Sequence, residues 1–342
     1  GDVFLENLYT KEEMKMVNET RKISFAELEK ESNKFANLLK SLGIKKGDRC
    51  FIFLPRIPQL YFALLGILKV GAIVGTLFPA FGPEALELRL KRAEARLVIT
   101  NSDLIERLEK AKVKLDYVIV VDKKKGREER KGKVKWKEIS YEEVSKQSSK
   151  FEIARTARKE CAIMLFTSST AGTPVAGIML PHQALVQQVV SAKFVLDLHS
   201  QDVLWCTADP GWITGIVYAI IAPLALAITT VSYKGRFEPE AWYKIMEKNK
   251  VTVLYTAPTA IRMLMQSNAH KKYKLKLRLV CSVGEALNPA AFSWVKKELH
   301  VPILDTYWQT ETGAIVIANY RSIKVKPGSM GCLLYTSPSP RD

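Results

Sequence analysis

Short apolar runs alternate with amphipathic stretches along most of the chain. From Ser24 onward, Phe25, Leu28, Phe35, Leu38, Leu39 and Leu42 recur at helical spacing and make one apolar face. Ser24 and Glu27 form a capping box at the start of this helix, and Gly43 closes it. Residues 50–54 then read as a strand. Residues 56–74 are mostly apolar but are interrupted by Gly66, Lys69 and Gly71. Pro83 opens a helix to about Ala93. Residues 97–100 and 117–121 read as buried strands around a helix beginning near Ser102. Strands are predicted at 161–165, 229–233, 253–256, 279–282 and 301–304. Helices are predicted at 239–249, 258–267 and 288–299, the last with Asn288 as its cap and Pro289 at its first position. This strand–helix alternation predicts an α/β fold built from doubly wound parallel sheets. No internal repeat is evident.

Residues 210–233 carry no charge, which by length alone makes them a candidate membrane span. Gly211, Gly215 and Pro223 interrupt the stretch, however, and Trp212 and Thr214 sit at its start. Its flanks alternate like those of a soluble protein, so a buried helix and strand are predicted, and no membrane partner. A chain of 342 residues, 47% hydrophobic and 25% charged, has room for two or more cores. The formal net charge of +17 suits a polyanionic substrate and would equally suit nucleic acid. No helix-turn-helix, zinc-finger or RNP signature is present, so the nucleic-acid reading rests on charge alone. The five cysteines include no C-x-x-C pair and fall mostly in apolar runs, which predicts reduced, buried thiols, no metal and a cytoplasmic setting. No N-terminal signal peptide is recognisable. His182 and the other histidines are scattered and read as structural.

Three stretches carry the chemistry. Residues 305–313 read Asp-Thr-Tyr-Trp-Gln-Thr-Glu-Thr-Gly, after the apolar run 301–304, and are predicted to form a strand-end loop. In open α/β sheets ligands sit at the carboxyl ends of strands. An aromatic face can stack on a base, hydroxyls can donate to phosphate, and a carboxylate can hold a divalent cation. Read alone, this stretch fits a ligand loop and a polar turn with two tucked aromatics equally well. Residues 166–174 read Phe-Thr-Ser-Ser-Thr-Ala-Gly-Thr-Pro, a hydroxyl-rich loop after a strand whose backbone N–H groups can cradle phosphate. Residues 281–286 read Cys-Ser-Val-Gly-Glu-Ala.

Together these stretches resemble the acyl-adenylate-forming superfamily, whose phosphate loop is close to T-S-G-[ST]-T-G-x-P-K-G and whose later motif is Y-x-x-T-E. Within it, residues 205–215 (Trp-Cys-Thr-Ala-Asp-Pro-Gly-Trp-Ile-Thr-Gly), 235–242 and 326–331 look like the acetyl-CoA synthetase family. The resemblance implies that residues 1–333 are part of an AMP-binding, adenylating N-terminal domain, with subdomains of about 1–160 and 161–333. It also implies a chain truncated at both ends, lacking the small C-terminal domain and inactive alone. Residues 334–342 no longer follow the family and read as a non-native tail.

By the same resemblance, ATP, Mg²⁺ and coenzyme A are the partners of acetate in an AMP-forming acid–thiol ligation. Thr167, Ser168, Ser169, Thr170, Gly172 and Thr173 would hold the β- and γ-phosphates. Thr310 would donate to the α-phosphate and Glu311 would hold Mg²⁺. Tyr307 would lie against adenine, with Gly284, Glu285, Ala286 and Asp305 lining that pocket and Thr306 and Gln309 completing the nucleotide-binding stretch. Trp212, Ile213 and Thr214 would border the acyl and thiol channel. Trp308 stands where relatives accepting longer acids carry glycine, so its indole, with Val283 and Ile213, would leave room for two or three carbons. The bland alternative is a core tryptophan. Residues 122–133, dense in Lys and Arg, read as a solvated loop or as a landing patch for coenzyme A phosphates through Lys123, Lys124 and Lys125.

The phosphate loop departs from the superfamily pattern. Ser169 replaces a glycine, Ala171 replaces a hydroxyl residue, and Val175-Ala176 stands where one lysine is expected. A side chain at Ser169 restricts positive φ, and a lost cation and hydroxyl weaken charge stabilisation. These changes mean either a weakened site or a sequence error. The altered loop and the charge also allow a non-catalytic nucleotide-binding or basic nucleic-acid-binding protein, and a propionate or medium-chain acyl-CoA synthetase is a further alternative, the medium chain with Trp308 against it.

Overall fold

A computed structural model describes residues 2–6, 21–122, 135–167 and 177–334. The chain divides into two compact units. One comprises Phe25–Gln183 and Asp209–Ile213; the other comprises Gly1–Ser24, Ala184–Ala208 and Thr214–Asp342.

Among the described residues, the first unit builds a seven-stranded sheet. Its spatial order is Lys137–Ser140, Tyr117–Val120, Leu97–Thr100, Arg49–Phe53, Ile73–Thr76, Cys161–Phe166 and Gly177–Pro181. The first six strands are parallel, and Gly177–Pro181 runs antiparallel at the edge. Every residue of Ile73–Thr76 and Leu97–Thr100 is buried, as expected of strands covered on both faces. The amphipathic helix Phe25–Ser41 buries Leu28, Phe35, Leu38 and Leu39, and Gly43 beyond it takes φ +75°. This helix packs on Pro58–Val70 at Gly66, where a Cβ would lie 2.7 Å from that of Phe35. Lys69, which interrupts the apolar run in sequence, reaches Ser32 Oγ (2.8 Å) and Asn33 Oδ1 (2.7 Å).

The second unit builds a nine-stranded sheet among the described residues. Its spatial order is Cys332–Leu333, Ile317–Ala318, Ile303–Tyr307, Leu279–Ser282, Val253–Thr256, Val203–Cys206, Thr229–Tyr233, Asp2–Glu6 and Arg21–Ser24. The six strands from Ile303–Tyr307 to Asp2–Glu6 are parallel, and antiparallel strands finish both edges. Its core gathers Trp205, Trp242, Tyr243, Phe292 and Trp294.

The two sheets wind alike. In each, a starting strand (Arg49–Phe53 or Val203–Cys206) is flanked on one side by the strand that follows it. The next three strands then stack successively on the other side. This is the 2-1-3-4-5 order, whose reversal leaves a crevice at the carboxyl ends of strands one and three. The repeat lies in topology and not in sequence.

Several boundaries differ from expectation. The chain passes between units after residues 24, 183, 208 and 213 and not once near 160, because Cys161–Phe166 pairs in parallel with Ile73–Thr76. The helix expected near Ser102 starts at Ile105. Asp122 Oδ1 accepts from the Ser102 N–H (2.6 Å), and the Ser102 hydroxyl reaches Asp122 Oδ2 (3.0 Å), so Ser102 is held outside the helix. The uncharged stretch becomes a loop, a wide-turn helix Gly215–Ile221, a turn of α-helix Ala222–Ala225 and the strand Thr229–Tyr233. No helix among the described residues is long and apolar enough to cross a membrane. No disulfide joins the five cysteines, and burial pushes the Cys50 and Cys281 thiols well up.

The amino edge of the second sheet is locked by charge. Asp202, Thr252 and Arg278 each immediately precede one of three neighbouring strands. Arg278 Nε donates to Asp202 Oδ1 (2.7 Å) and Nη1 to Asp197 Oδ2 (2.9 Å), while the Thr252 hydroxyl donates to Asp202 Oδ1 (2.7 Å). Burial opposes ionisation of Asp202 more than any other single influence. Hydrogen bonds from Arg278, Thr252 and the His199 N–H together still hold its carboxyl below the ordinary carboxylate range. Such a group stabilises the fold above its unfolded-state pKa and loses that contribution as pH falls through its lower native value. Arg278→Ala, which leaves the buried Asp202 without its cation, is expected to cost about 3 kcal/mol. Urea unfolding at pH 7 checks that loss, and the same titration near pH 3 should show a smaller difference between wild type and variant.

Candidate functional site

Three parallel strands of the second unit end together at their carboxyl side. Val253–Thr256 ends in a hydroxyl, Leu279–Ser282 leads into 283–287, and Ile303–Tyr307 leads into 308–313. At the reversal of winding, the Thr207 and Thr256 hydroxyls lie 2.6 Å apart.

Asp305 and its neighbours differ from the expected strand-end loop. Asp305, Thr306 and Tyr307 lie within the strand, because Ile317–Ala318 pairs with Thr306 and Tyr307 and extends the ladder. Asn319 pins Asp305 from both sides: its Oδ1 accepts from the Asp305 N–H (3.0 Å) and its own N–H donates to the Asp305 carbonyl (2.9 Å). Asp305 is buried. Its carboxylate accepts from the Ser282 hydroxyl, from the Thr306 N–H at 3.1 Å, and from the Leu287 N–H. One carboxylate therefore ties the ends of two strands to the loop that follows the first of them. Thr306 Oγ1 donates to the Ser282 carbonyl (2.7 Å) and meets Tyr255 Oη at 2.8 Å. Burial raises the Asp305 pKa, and the Ser282, Thr306 and Leu287 hydrogen bonds oppose that rise.

The remaining predicted residues of this unit lie above that floor. Val283 is buried, and Gly284, Glu285 and Ala286 are exposed. Gly284 takes φ +91° with open space where a Cβ would stand, so backbone conformation and not crowding requires glycine there. Glu285 Oε2 accepts from Thr259 Oγ1 (2.7 Å) and lies 3.5 Å from Arg262 Nη2, which turns it toward the helix Pro258–Ser267. Tyr307 is half-buried, and Trp308 is buried with its ring edge-on to Tyr218 at 5.1 Å. Gln309 opens a tight turn in which the Gly313 N–H reaches the Gln309 and Thr310 carbonyls. The turn presents Gln309 and Glu311 as exposed and Thr310 as half-buried. Thr214 is half-buried at the start of the wide-turn helix.

Trp212 and Ile213 belong to the first unit, in Asp209–Ile213. Trp212 is exposed, with its ring 5.8 Å from Phe78 and 6.4 Å from Phe81. The segment is tightly held: the Gly211 N–H donates to Asp209 Oδ1 (2.8 Å), Arg56 lies 3.6 Å from Asp209 Oδ2, and the Thr76 hydroxyl donates to the Pro210 carbonyl. A Cβ on Gly211 would sit 2.5 Å from Phe78 Cα, so only glycine fits that approach. Thr167 is half-buried at the end of Cys161–Phe166. Ser168, Ser169, Thr170, Gly172 and Thr173 lie outside the described residues, as do Ala171, Val175, Ala176 and the lysines 123–125.

The sequence reading passed over Ser282, Asn319, Tyr218, Tyr255, Thr207 and Thr256. One signal was available, since three successive apolar runs each end on a polar residue, Thr256, Ser282 and Asp305. Among the described residues no group of three or more His, Cys, Asp or Glu side chains could hold a metal ion. A lone exposed carboxylate such as Glu311 still fits Mg²⁺, which binds through one or two carboxylates, water and substrate phosphates. Two grooves of the first unit, of about 600 and 510 Å³, contain none of the predicted site residues.

Strand ends carrying hydroxyls, an aromatic and a carboxylate are where open α/β sheets of nucleotide-binding enzymes take their ligands. Residues 6–337 match the AMP-binding enzyme family, and the chain belongs to that family. It is 45% identical over 316 residues to an acetyl-coenzyme A synthetase of Bacillus subtilis, a match covering 91% of this chain and 54% of that protein. It is 38% identical over 344 residues to an acetyl-coenzyme A synthetase of Methanothrix thermoacetophila, covering 92% of this chain and 50% of that protein. The crystal structure of a Brucella canis acyl-CoA synthetase superposes with a TM-score of 0.86 at 32% identity, covering 97% of this chain and 59% of that one. The chain thus spans about half the length of the curated relatives it matches.

The Asp305 carboxyl gives a pH signature opposite to that of Asp202. A raised native pKa makes its contribution full below the ordinary carboxylate value, with a decline as pH rises toward the raised one. Asp305→Asn is expected to flatten stability above about pH 4. Asp305→Ala, which leaves a buried hydroxyl and two N–H groups without their acceptor, should cost about 2 kcal/mol or more at every pH. Urea unfolding of both variants between pH 4 and 7 checks this.

Proposed function

We propose that this chain forms the nucleotide- and acid-binding part of an AMP-forming acetate–CoA ligase. The observation that carries the reading is the strand-end cluster itself, where Tyr307, Trp308, Thr310 and Glu311 follow directly on the pinned residue Asp305. Tyr307 would lie against adenine beside Gly284 and Ala286. Asp305 would act from beneath as a positioning residue, since its carboxyl is already engaged by Ser282 and two N–H groups. Thr310 would donate to the α-phosphate as an acetate oxygen attacks phosphorus and the bond to pyrophosphate breaks. Thr167 would serve the β- and γ-phosphates, and Glu311 would hold Mg²⁺. Mg²⁺, when bound, supplies neutralisation of phosphate charge. In the second half-reaction the coenzyme A thiolate attacks the acyl carbonyl carbon and AMP leaves.

Trp308 supports the choice of a short acid. Its buried indole fills the position after Tyr307, and the buried Val283 side chain lies at the end of the adjacent strand. In an apolar pocket each extra methylene changes discrimination by roughly 10–200-fold. Acetate is therefore the preferred acid, with propionate tolerated.

The test joins this chain to the remaining portion of the Bacillus subtilis relative and measures pyrophosphate release with ATP and Mg²⁺. Acetate should support release, propionate less, and octanoate none. Trp308→Gly should raise the rate with butyrate relative to acetate by about tenfold or more. Release that is insensitive to the acid supplied would sink the reading, and an unchanged ratio in Trp308→Gly would sink the pocket assignment.

A further inference from the structure

Trp308 carries a buried indole N–H without a hydrogen-bond partner among the described residues, as do Trp136, Trp205 and Trp242, but it alone of these stands in the strand-end stretch 305–313. No directional bond therefore fixes the ring, and its orientation depends on what packs against it. The defined ring contact is Tyr218, edge-on at 5.1 Å and 89°. Tyr218 is itself over-determined. It is fully buried, its hydroxyl meets Ser191 Oγ at 2.7 Å, and the Ile315 N–H donates to that hydroxyl at 3.0 Å. Its ring also stands edge-on to Tyr255 at 5.5 Å, and Tyr255 in turn bonds Thr306 on the Asp305 strand.

The backbone that carries Tyr218 is equally particular. Gly215–Ile221 is a wide helical turn with i→i+5 bonding, closed by the Ala222 N–H on the Val217 carbonyl. Such turns are rare and concentrate at functional sites, because the added residue re-aims the side chains they carry. Here the re-aimed side chain is Tyr218. It touches the indole with its ring and the chain just beyond Gly313 with its hydroxyl.

We infer that Tyr218 is the positioning residue that sets the depth of the acyl pocket, by holding the otherwise unbonded Trp308 indole edge-on and fixing the return of the 309–315 turn. The inference rests on the acid-pocket reading of Trp308 but assigns the control of acid length to a residue outside the strand-end motif. Two substitutions separate its contacts. Tyr218→Phe keeps the ring edge and removes the acceptor of the Ile315 N–H. Tyr218→Leu removes both.

The experiment measures binding of two non-hydrolysable adenylate mimics, acetyl- and butyryl-sulfamoyl adenosine, and of AMP, to this chain by calorimetry. Wild type should prefer the acetyl mimic. Tyr218→Leu should lower the acetyl-to-butyryl preference by about tenfold, over and above any loss of affinity that AMP shares, and Tyr218→Phe by an intermediate amount. A tyrosine that only stabilised the fold would weaken all three ligands together and leave the preference intact. An intact preference in both variants would overturn the inference while the acid-pocket reading stood. If Tyr218→Leu does not fold, Tyr218→Phe and Ser191→Ala carry the test, and an unchanged preference in both overturns the inference. Wild type binding neither mimic, or both equally, would overturn the acid-pocket reading and the inference together.

Discussion

A carboxylate in an apolar interior is costly unless every lone pair it offers is used, and Asp305 sits in such a place within the strand Ile303–Tyr307. Its solution is to become the acceptor for three groups from two neighbouring strand ends: the Ser282 hydroxyl and the Thr306 and Leu287 N–H groups. Asn319 completes the arrangement by bonding both backbone groups of the same residue. The consequence is rigidity where the chain would otherwise fray. The loops that carry Gly284 and Trp308 leave the sheet from fixed points, so the side chains above them inherit a fixed geometry.

The two edges of that sheet use charge for different ends. At the amino side Arg278, Asp202, Asp197 and Thr252 satisfy one another and face no predicted ligand residue. At the carboxyl side hydroxyls and carboxylates are partly committed to structure, and Thr310 and Glu311 remain at the surface of a short turn. Stability and the proposed ligand chemistry are thereby separated along the length of the same strands, as the winding of open α/β sheets allows. The first unit repeats that winding, and its segment Asp209–Ile213 is held with comparable care by Arg56, Thr76 and Phe78.

Much of this was legible in the amino-acid order. Apolar runs marked the buried strands, and proline at the first helical position marked Pro83–Arg92, Pro258–Ser267 and Pro289–Glu298. The site stretch 305–313 was visible because so many ligand-capable side chains fall together. What stayed hidden depends on pairing between distant positions. Nothing local tells that Asp305–Tyr307 continues a strand, since that follows from Ile317–Ala318 and Asn319. Nothing local assigns Cys161–Phe166 to the first unit, since that follows from its pairing with Ile73–Thr76. Tyr218 was hidden for a related reason: an apolar stretch without charges gives no hint of a wide helical turn or of the side chain it redirects.

The long loops of connectivity also shape how the chain comes into being. Asp2–Glu6 completes the parallel part of the second sheet by lying beside Thr229–Tyr233, with Val3 opposite Thr230. At about 5–20 residues per second of synthesis, on the order of ten to forty-five seconds separate the emergence of those two partners. Until then the partner that this sheet offers Asp2–Glu6 among the described residues is Arg21–Ser24, and a two-stranded ribbon is marginal in water. The first unit, whose strands all lie between residues 49 and 181, can meanwhile finish folding. Until Thr229–Tyr233 emerges, the second sheet thus keeps an unfinished strand edge of the kind that invites aggregation.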